Sequence, residues 1–347
     1  MNREKTFNIM RTFVSMIIAV IVAFIIIMIV SDDPIKSIRL FFIGPFTKLR
    51  YMGNIIEAAI PLIFSGLAMS VVFQASLFNM GAEGIFFFSA AVISFIAIWA
   101  PLPHGIHQTT IIVAGALVGA IIMSIIGILK AKFGASELVS SLMMNNVLLG
   151  VGSYLMTKYL RDPMASQGSY PYAKTALFSS IVPGTRIHLG LIIALIVTGL
   201  VYVFIYRTKW GYEIRMVGQN KSFAEYSGIN VVKVIMISHI VSGLISGMGG
   251  AIESIAMHKR FEWSMLPGYG FDGALIAMLA NNNPLGVIFS SLFVAYLRTG
   301  ADIVARLSDV PTELVTILQS LVILLISAER FLHSYKQRWI ERGIGNE

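Results

Sequence analysis

The chain has 347 residues, of which 56% are hydrophobic and 13% are charged, whereas a typical soluble domain carries about 25% charged residues. It has no cysteine, which excludes disulfides, thiolate metal sites and a cysteine nucleophile. The net charge is +8, but the basic residues lie between long uncharged runs, as at membrane–water boundaries, which argues against a nucleic-acid-binding surface. The composition therefore predicts an integral membrane protein.

The first predicted element is the uncharged run 12–30, which at about 19 residues is long enough to cross a membrane. Its apolar core is too long for a cleaved signal peptide, and no small-residue cleavage site follows it. We therefore expect a retained span. The next stretch, 34–50, mixes basic residues with Ile, Leu and Phe, and we expect it to lie in the outer membrane interface.

Nine further apolar runs follow, so the sequence predicts an all-α membrane protein with about ten transmembrane segments. These runs are 58–74, 84–100, 109–129, 138–157, 187–206, 234–256, 271–280, 285–298 and 311–328. Ten spans place both termini on one side of the membrane, and the basic residues near each end make that side the cytoplasm. We expect residues 1–347 to form one transmembrane domain, with a cytoplasmic loop at 207–233 and a cytoplasmic tail at 329–347.

Two pairs of similar motifs predict that the halves are inverted repeats. "ASELVSSLM" at 135–143 resembles "PTELVTILQ" at 311–319, and "GAEG" at 81–84 pairs with "GFDG" at 270–273. Each pair is separated by five spans, an odd number, so the second copy runs in the opposite direction. Inverted repeats are typical of transporters, although chance similarity between apolar sequences is the alternative.

Polar residues interrupt the apolar runs beside glycines. Asn79 and Glu83 lie in "LFNMGAEG" at 77–84, and Asp272 opens the run 271–280, whose ten residues rise about 15 Å, half a bilayer. A charged side chain in hydrocarbon costs roughly 2.5–3.5 kcal/mol or more, so these groups must face protein or water. Broken half-helices of this kind are expected beside a translocation path. For Glu83, a short loop that caps the third span is the alternative.

Uncharged polar stripes run along two of the predicted spans. Ser141 and Asn145 share a face of the fifth span, and Thr316 and Ser320 repeat their spacing on the tenth. The two stripes either line a polar pore or form hydrogen bonds between helices. The residues that we expect on the path or at its gate are Asn79, Glu83, Ser141, Asn145, Asp272, Thr316 and Ser320.

The hydrophilic stretch 207–233 predicts one short helix. Ser222 and Glu225 fit a capping box and Gly228 fits a helix stop, so the helix covers about 222–228. It would present the aromatic rings of Phe223 and Tyr226. This helix is either a docking knob for a partner protein or part of an ordinary interhelical loop.

No pattern in the sequence indicates an enzyme, because it contains neither the Gly-Lys of a P-loop nor a G-x-S-x-G nucleophile motif. His104 and His107 are only three residues apart, but we do not expect a metal site there. One rival to a partner-driven transporter is an ion-coupled secondary transporter in which Glu83 or Asp272 binds the proton or cation. A second rival is a membrane anchor or assembly scaffold, which would gain nothing from broken helices.

Five motifs, in order along the chain, carry a resemblance to a known family. They are "LFNMGAEG" (77–84), "ELVSSLMMNN" (137–146), "RMVGQNKSFAEYSGI" (215–229), "SGLISGMGGAIE" (242–253) and "GFDGALIAMLANNNPLG" (270–286). The chain resembles the membrane permease subunits of bacterial ABC importers of the ribose and branched-chain amino acid type. Within that family it looks closest to the nucleoside and simple-sugar permeases. The resemblance runs from about residue 34 to 328.

The resemblance implies a multi-pass permease of the bacterial plasma membrane that carries a nucleoside or a simple sugar such as ribose and holds no cofactor. It implies a cytoplasmic ABC ATPase that binds ATP and Mg²⁺, a second permease subunit, identical or different, and an extracytoplasmic substrate-binding protein or lipoprotein. The loop 215–229 would be the coupling helix that enters a groove on the ATPase. The residues assigned to it are Gly218, Ser222, Phe223, Ala224, Glu225, Tyr226 and Gly228.

Overall fold

The structure, a computed structural model, describes residues 21, 25, 28, 31, 33–165 and 168–311. Within these residues it is all-helical, as predicted, and has no β-strand. Its helices are α1 (Pro34–Phe42), α2 (Leu49–Gln74), α3 (Ala82–Trp99), α4 (Ile106–Phe133), α5 (Glu137–Leu155), α6 (Gly190–Arg207), α7 (Lys209–Gln219), α8 (Lys221–Tyr226), α9 (Val231–Met257), α10 (Tyr269–Leu279) and α11 (Pro284–Leu307). A short 3-10 helix, Gly44–Phe46, precedes α2, and a π-helical turn, Met156–Leu160, extends α5.

Seven of the described helices are long and apolar enough to cross a membrane: α2, α3, α4, α5 with its π-helical turn, α6, α9 and α11. They cover the predicted spans two to seven and nine. The predicted eighth span is the short helix α10, whose 11 residues rise about 16 Å. Most of the run 12–30, nearly all of 311–328 and the whole tail 329–347 lie outside the described residues. The total of ten spans, the side of the termini and the inverted repeats therefore stay predictions.

The chain divides into two compact units, one formed by 56–293 and the other by 1–55 together with 294–347. In the second unit, α1 packs against the C-terminal part of α11. The Tyr296 hydroxyl donates a hydrogen bond to the Phe42 carbonyl (2.9 Å), and a Cβ on Gly300 would overlap the Phe41 carbonyl. The predicted location of 34–50 in the membrane interface, like the single domain over 1–347, stays a prediction.

In the larger unit, α4 and α9 approach most closely, at pairs of glycines. A Cβ on Gly119 would overlap the backbone of Gly243, and a Cβ on Gly115 would meet the carbonyl of Gly247. Small residues spaced four apart let two helix backbones come into direct contact, which is a common way to pack helices in membranes. Helices α4 and α9 therefore pack with their backbones in direct contact in the larger unit.

The described residues of 161–189, between α5 and α6, fold over the ends of α3 and α9. The buried Tyr172 hydroxyl shares hydrogen bonds with the hydroxyls of Ser94 on α3 (2.9 Å) and Ser254 on α9 (2.7 Å). Burial raises the pKa of Tyr172 to about 12, so its hydroxyl stays protonated and able to donate. The segment is thus tied to the helix ends by buried polar contacts.

Candidate functional site

The predicted break at 77–84 is present, because α2 ends at Gln74 and α3 begins at Ala82. We call residues 75–81, which connect them, the broken segment. At one end the Gln74 side chain donates to the Asn282 carbonyl just after α10 (2.9 Å), and at the other Glu83 binds the beginning of α10. The broken segment therefore runs along the whole of this short helix. Non-helical backbone in a membrane protein needs such protein surroundings to satisfy its polar groups.

Glu83 joins the beginnings of α3 and α10. Its carboxylate accepts hydrogen bonds from the backbone N–H groups of Gly268 and Gly270, and the residue is only 1% exposed. The first N–H groups of a helix lack partners within the helix and carry the positive end of its dipole, so a carboxylate is well placed there. A Cβ on Gly270 would overlap the backbone of Glu83. The motifs "GAEG" and "GFDG", which the sequence pairs as repeats, thus lie in direct contact.

Asp272 lies half-buried in the first turn of α10. The other end of the helix is closed by a turn in which Asn281 and Asn282 have positive φ angles of 52° and 57°, and Pro284 then begins α11. Asparagine is one of the few residues besides glycine that adopts this left-handed conformation readily. The short helix predicted at 271–280 is therefore present as Tyr269–Leu279, with Asp272 in its first turn and "NNNP" after its end, and its role as a half-helix in the membrane stays a prediction.

Ser141 and Asn145 on α5 hold the end of the broken segment and the start of α3. The Ser141 hydroxyl accepts a hydrogen bond from the Met80 N–H (3.0 Å). The Asn145 side chain accepts from the Gly84 N–H (3.0 Å) and donates to the Met80 carbonyl (3.0 Å). Both side chains are buried. Within this chain, the polar stripe of α5 makes interhelical hydrogen bonds, the second of the two expectations.

Asn79 stabilises the broken segment from within. Its side-chain oxygen accepts a hydrogen bond from the Gly81 N–H (2.6 Å), and its amide contacts the Met123 sulfur of α4 (3.3 Å). Four of the predicted path residues, Asn79, Glu83, Ser141 and Asn145, therefore converge on one break. Their role in a path stays a prediction. Thr316 and Ser320 lie outside the described residues.

The helix predicted at 222–228 is α8, but its predicted cap is wrong. Asn220 caps α8, because its side chain accepts a hydrogen bond from the Phe223 N–H (3.0 Å), whereas Ser222 lies within the first turn. Asparagine is as good a cap as serine, and Asn220 has the extended backbone that a cap requires. Gly228 is the helix stop, as predicted, with a φ of +82° and its N–H bonded to the Glu225 carbonyl (3.0 Å).

The sequence reasoning missed α7, which immediately precedes α8. Thr208 caps α7 by accepting a hydrogen bond from the Gly211 N–H (3.1 Å). Gly211, Ile214 and Val217 form its buried face at a spacing of three. A threonine followed by small or apolar residues at this spacing is a helix signal that could have revealed α7.

The α7–α8 pair exposes two aromatic rings and is tied to the broken segment. Phe223 is 55% and Tyr226 94% exposed, whereas Ala224 between them is buried. On α7, the Gly218 carbonyl accepts a hydrogen bond from the Ser76 hydroxyl of the broken segment (2.6 Å). A Cβ on Gly218 would overlap the end of α2. A displacement of α8 would therefore be passed to the broken segment through α7.

The two closely spaced histidines near the start of α4 differ in their surroundings, since His104 is exposed and His107 lies in the first turn of the helix. His107 is fully buried, and its ring nitrogens contact the Thr175 hydroxyl (2.9 Å) and the Ile96 carbonyl (3.0 Å). Among the described residues no group of three or more potential metal ligands comes together. His107 instead ties α4 to the segment 161–189.

Comparison with known proteins gives a consistent set of relatives. The family described as "Branched-chain amino acid transport system / permease component" matches residues 51–327. The chain is 31% identical to the guanosine ABC transporter permease protein NupP of Bacillus subtilis, over 82% of this chain and 83% of that protein. It is 30% identical to the glucose ABC transporter permease protein TsgB13 of Haloferax volcanii, over 88% of this chain and 83% of that protein. It is 25% identical to the nucleoside ABC transporter permease protein NupB of Lactococcus lactis, over 94% of this chain and 92% of that protein.

Proposed function

The chain belongs to this family of ABC transporter permeases, and from that premise we propose that it forms the membrane path of an importer for nucleosides. Family membership and the seven apolar helices make it a multi-pass protein of the bacterial plasma membrane. A permease of this family is a non-catalytic subunit. Two of the three relatives named above are permeases for guanosine or nucleosides and one is for glucose, which supports a nucleoside over a simple sugar such as ribose.

The observation that carries the proposal is the tie between the α7–α8 pair and the broken segment. In the proposed assembly, Phe223 and Tyr226 enter a groove on a cytoplasmic ATPase, which binds the ATP and Mg²⁺, while this chain holds no cofactor. Aromatic side chains that are exposed on a short helix are well suited to such docking. Because Ser76 is hydrogen-bonded to Gly218, a push on α8 reaches the broken segment.

The hydrogen bonds around the broken segment would act as the gate. Asn79, Ser141 and Asn145 hold the segment in one position, and Glu83 holds it to α10. The ATPase would shift the balance between two permease states because it binds one state more tightly than the other. Asp272 and the neutral side chains of Thr316 and Ser320 are the remaining proposed path residues. Neutral hydrogen-bonding groups suit an uncharged polar solute such as a nucleoside.

The ion-coupled alternative is not favoured. A secondary transporter needs no partner and has no use for the exposed rings of α8. Glu83, one of the two acids proposed for the ion in that alternative beside Asp272, already accepts two backbone hydrogen bonds. We further propose a second permease subunit, identical or different, and an extracytoplasmic substrate-binding protein or lipoprotein, as the ABC transporter family implies.

The experiment is co-purification from mildly solubilised membranes of cells that express the whole transporter. The double variant Phe223→Ala/Tyr226→Ala should lose the ATPase, since its docking rings are removed. The control is Tyr154→Ala, because Tyr154 is also exposed (58%) but lies on α5. Retention of the ATPase by the double variant would show that the docking surface is elsewhere. Uptake of labelled guanosine and ribose by the same cells then tests the solute.

A further inference from the structure

A cleft of about 350 Å³ lies beside the C-terminal end of α5, away from the broken segment. Its polar and aromatic lining comprises Ser153, Thr157, Arg161, Glu262, Trp263 and Ser264. One wall is the π-helical turn Met156–Leu160 and the residue that follows it, and the other is the stretch between α9 and α10. π-helical turns are rare and occur often at functional sites. The volume is in the range of small-molecule binding pockets.

Trp263 is held in a fixed orientation at the cleft. Its ring makes edge-on contacts with the rings of Phe261 (6.0 Å between centroids), His258 (5.7 Å) and Tyr269 (6.5 Å). Three rings around one indole restrict its rotation, so little order is lost when a planar ligand stacks on it. Trp263 itself stays half-exposed, which leaves part of its surface open to the cleft.

The remaining lining groups suit an uncharged ligand that carries hydroxyl groups. Ser153, Thr157 and Ser264 supply hydroxyls. The Thr157 hydroxyl already donates to the Ser153 carbonyl (2.9 Å), so it can accept a hydrogen bond from a ligand, whereas the hydroxyls of Ser153 and Ser264 can donate and accept. Arg161 and Glu262 carry opposite charges, so the charges of these two groups cancel. The Glu262 carboxylate lies 4.0 Å from Arg260, which also pairs with Asp162 (3.5 Å), so its position is restrained.

We propose that this cleft is a binding subsite for a nucleoside, in which the base stacks on Trp263 and the ribose hydroxyls bind the hydroxyl and carboxylate groups. The subsite rests on the proposed function, and it names residues that touch the solute. Stacking of a base on an aromatic ring tolerates different bases, because every base has a π-face. A free sugar lacks a base and would lose this contact.

The cleft is connected to the gate through Tyr269. The Trp263 ring contacts the Tyr269 ring, and the Tyr269 hydroxyl donates to the buried Glu253 (2.7 Å). Gly268 and Gly270, on either side of Tyr269, are the two residues whose N–H groups bind Glu83. Trp263 is therefore linked through Tyr269 to the backbone that holds the beginning of α3.

The experiment measures equilibrium binding of labelled guanosine to the purified permease–ATPase complex without the substrate-binding protein. Trp263→Ala should weaken binding about tenfold, equivalent to about 1.4 kcal/mol, and Trp263→Phe should restore most of it. Trp99→Ala is the matched control, because Trp99 is also exposed (52%) but does not line the cleft. Unlabelled ribose should fail to compete with guanosine.

Every other outcome of the binding experiment contradicts either the subsite or the proposed function. Saturable guanosine binding that is unchanged in Trp263→Ala, or equal competition by ribose, would overturn the subsite. The same holds if the complex binds no guanosine although the intact transporter takes it up. If the intact transporter takes up no nucleoside at all, the proposed function fails first. Should Trp263→Ala not fold, Thr157→Val and Glu262→Gln change exposed cleft side chains and should each weaken guanosine binding at least threefold; unchanged binding in both would overturn the subsite.

Discussion

Glu83 and Gly270 are 187 residues apart in the chain, yet the Gly270 N–H donates directly to the Glu83 carboxylate. The contact joins the first turns of two helices, one of which is only 11 residues long. A buried carboxylate without hydrogen-bond partners would be strongly destabilising, so the two backbone donors allow an acid to be placed there. The pair fixes the position of α10 relative to the break between α2 and α3.

Gly270→Ala should destabilise the protein, because the added Cβ would overlap the backbone of Glu83. We expect the free energy of unfolding to fall by about 1–3 kcal/mol, as for overpacked cores. Gly199→Ala is the control, since nothing lies within 4 Å of a Cβ at this exposed position of α6. The measurement is the thermal midpoint in detergent by size-exclusion chromatography. Equal midpoints for the two variants would contradict the close contact.

Asn145→Ala should lower the free energy of unfolding more than Asn146→Ala does, although the two residues are neighbours. Asn145 is buried and bonds to Gly84 and Met80, so its loss removes the side-chain acceptor of the Gly84 N–H and one of the two donors to the Met80 carbonyl, at about 1–3 kcal/mol. Asn146 is exposed and bonds only to a carbonyl of its own helix. Thermal midpoints and guanosine uptake of both variants should be compared. If Asn146→Ala lowers the thermal midpoint more than Asn145→Ala does, the hydrogen bonds of Asn145 to Gly84 and Met80 are not the main stabilising contribution of α5.

Asn220→Ala should weaken α8, whereas Ser222→Ala should not. Asn220 accepts the hydrogen bond that caps the helix, and loss of a cap costs about 0.5–2 kcal/mol. The readout is hydrogen exchange of the amides of 221–226, which should become faster in the first variant only. Faster exchange in Ser222→Ala instead would show that Ser222 caps the helix, as expected from the sequence.

The pH dependence of stability should include a contribution from His258. Burial lowers the pKa of His258 below its usual 6.5, so the folded protein favours the neutral ring. The unfolded chain takes up this proton more readily, and the stabilisation present above pH 6.5 is lost as the pH falls below it. The thermal midpoint should therefore drop less between pH 7.5 and 5.5 in His258→Gln than in the wild type. Identical profiles for His258→Gln and the wild type would refute the contribution.

The apolar runs predicted the long helices correctly wherever the structure describes them, because helix length and hydropathy are local properties that the membrane enforces. The short helix α10 was also predictable, since Asp272 and the "NNNP" turn mark its ends in the sequence. The break at 77–84 was predictable for the same reason. Glycines and a charged residue within an apolar run indicate that the helix is interrupted there.

The contacts of these features could not be predicted, because they depend on residues that are distant in the chain. Nothing local to Glu83 indicates that Gly268 and Gly270 are its partners. The cap of α8 was misassigned because Asn220 and Ser222 are equally good capping residues, and only the backbone conformation decides between them. Helix α7 was missed because its apolar residues are few, and its buried face depends on packing against the rest of the chain.

The glycine contact between α4 and α9 also has a consequence for biosynthesis. Gly243 is translated roughly 120 residues after Gly119, which takes about 6–25 s at typical rates of chain elongation. During this interval the glycine groove of α4 is in the membrane without its partner. Any lipid or insertion factor that occupies the groove at Gly115 and Gly119 of α4 must leave it when α9 is inserted. Variants that fill the groove, such as Gly119→Ala, should prevent this late pairing, because the added Cβ would overlap the backbone of Gly243.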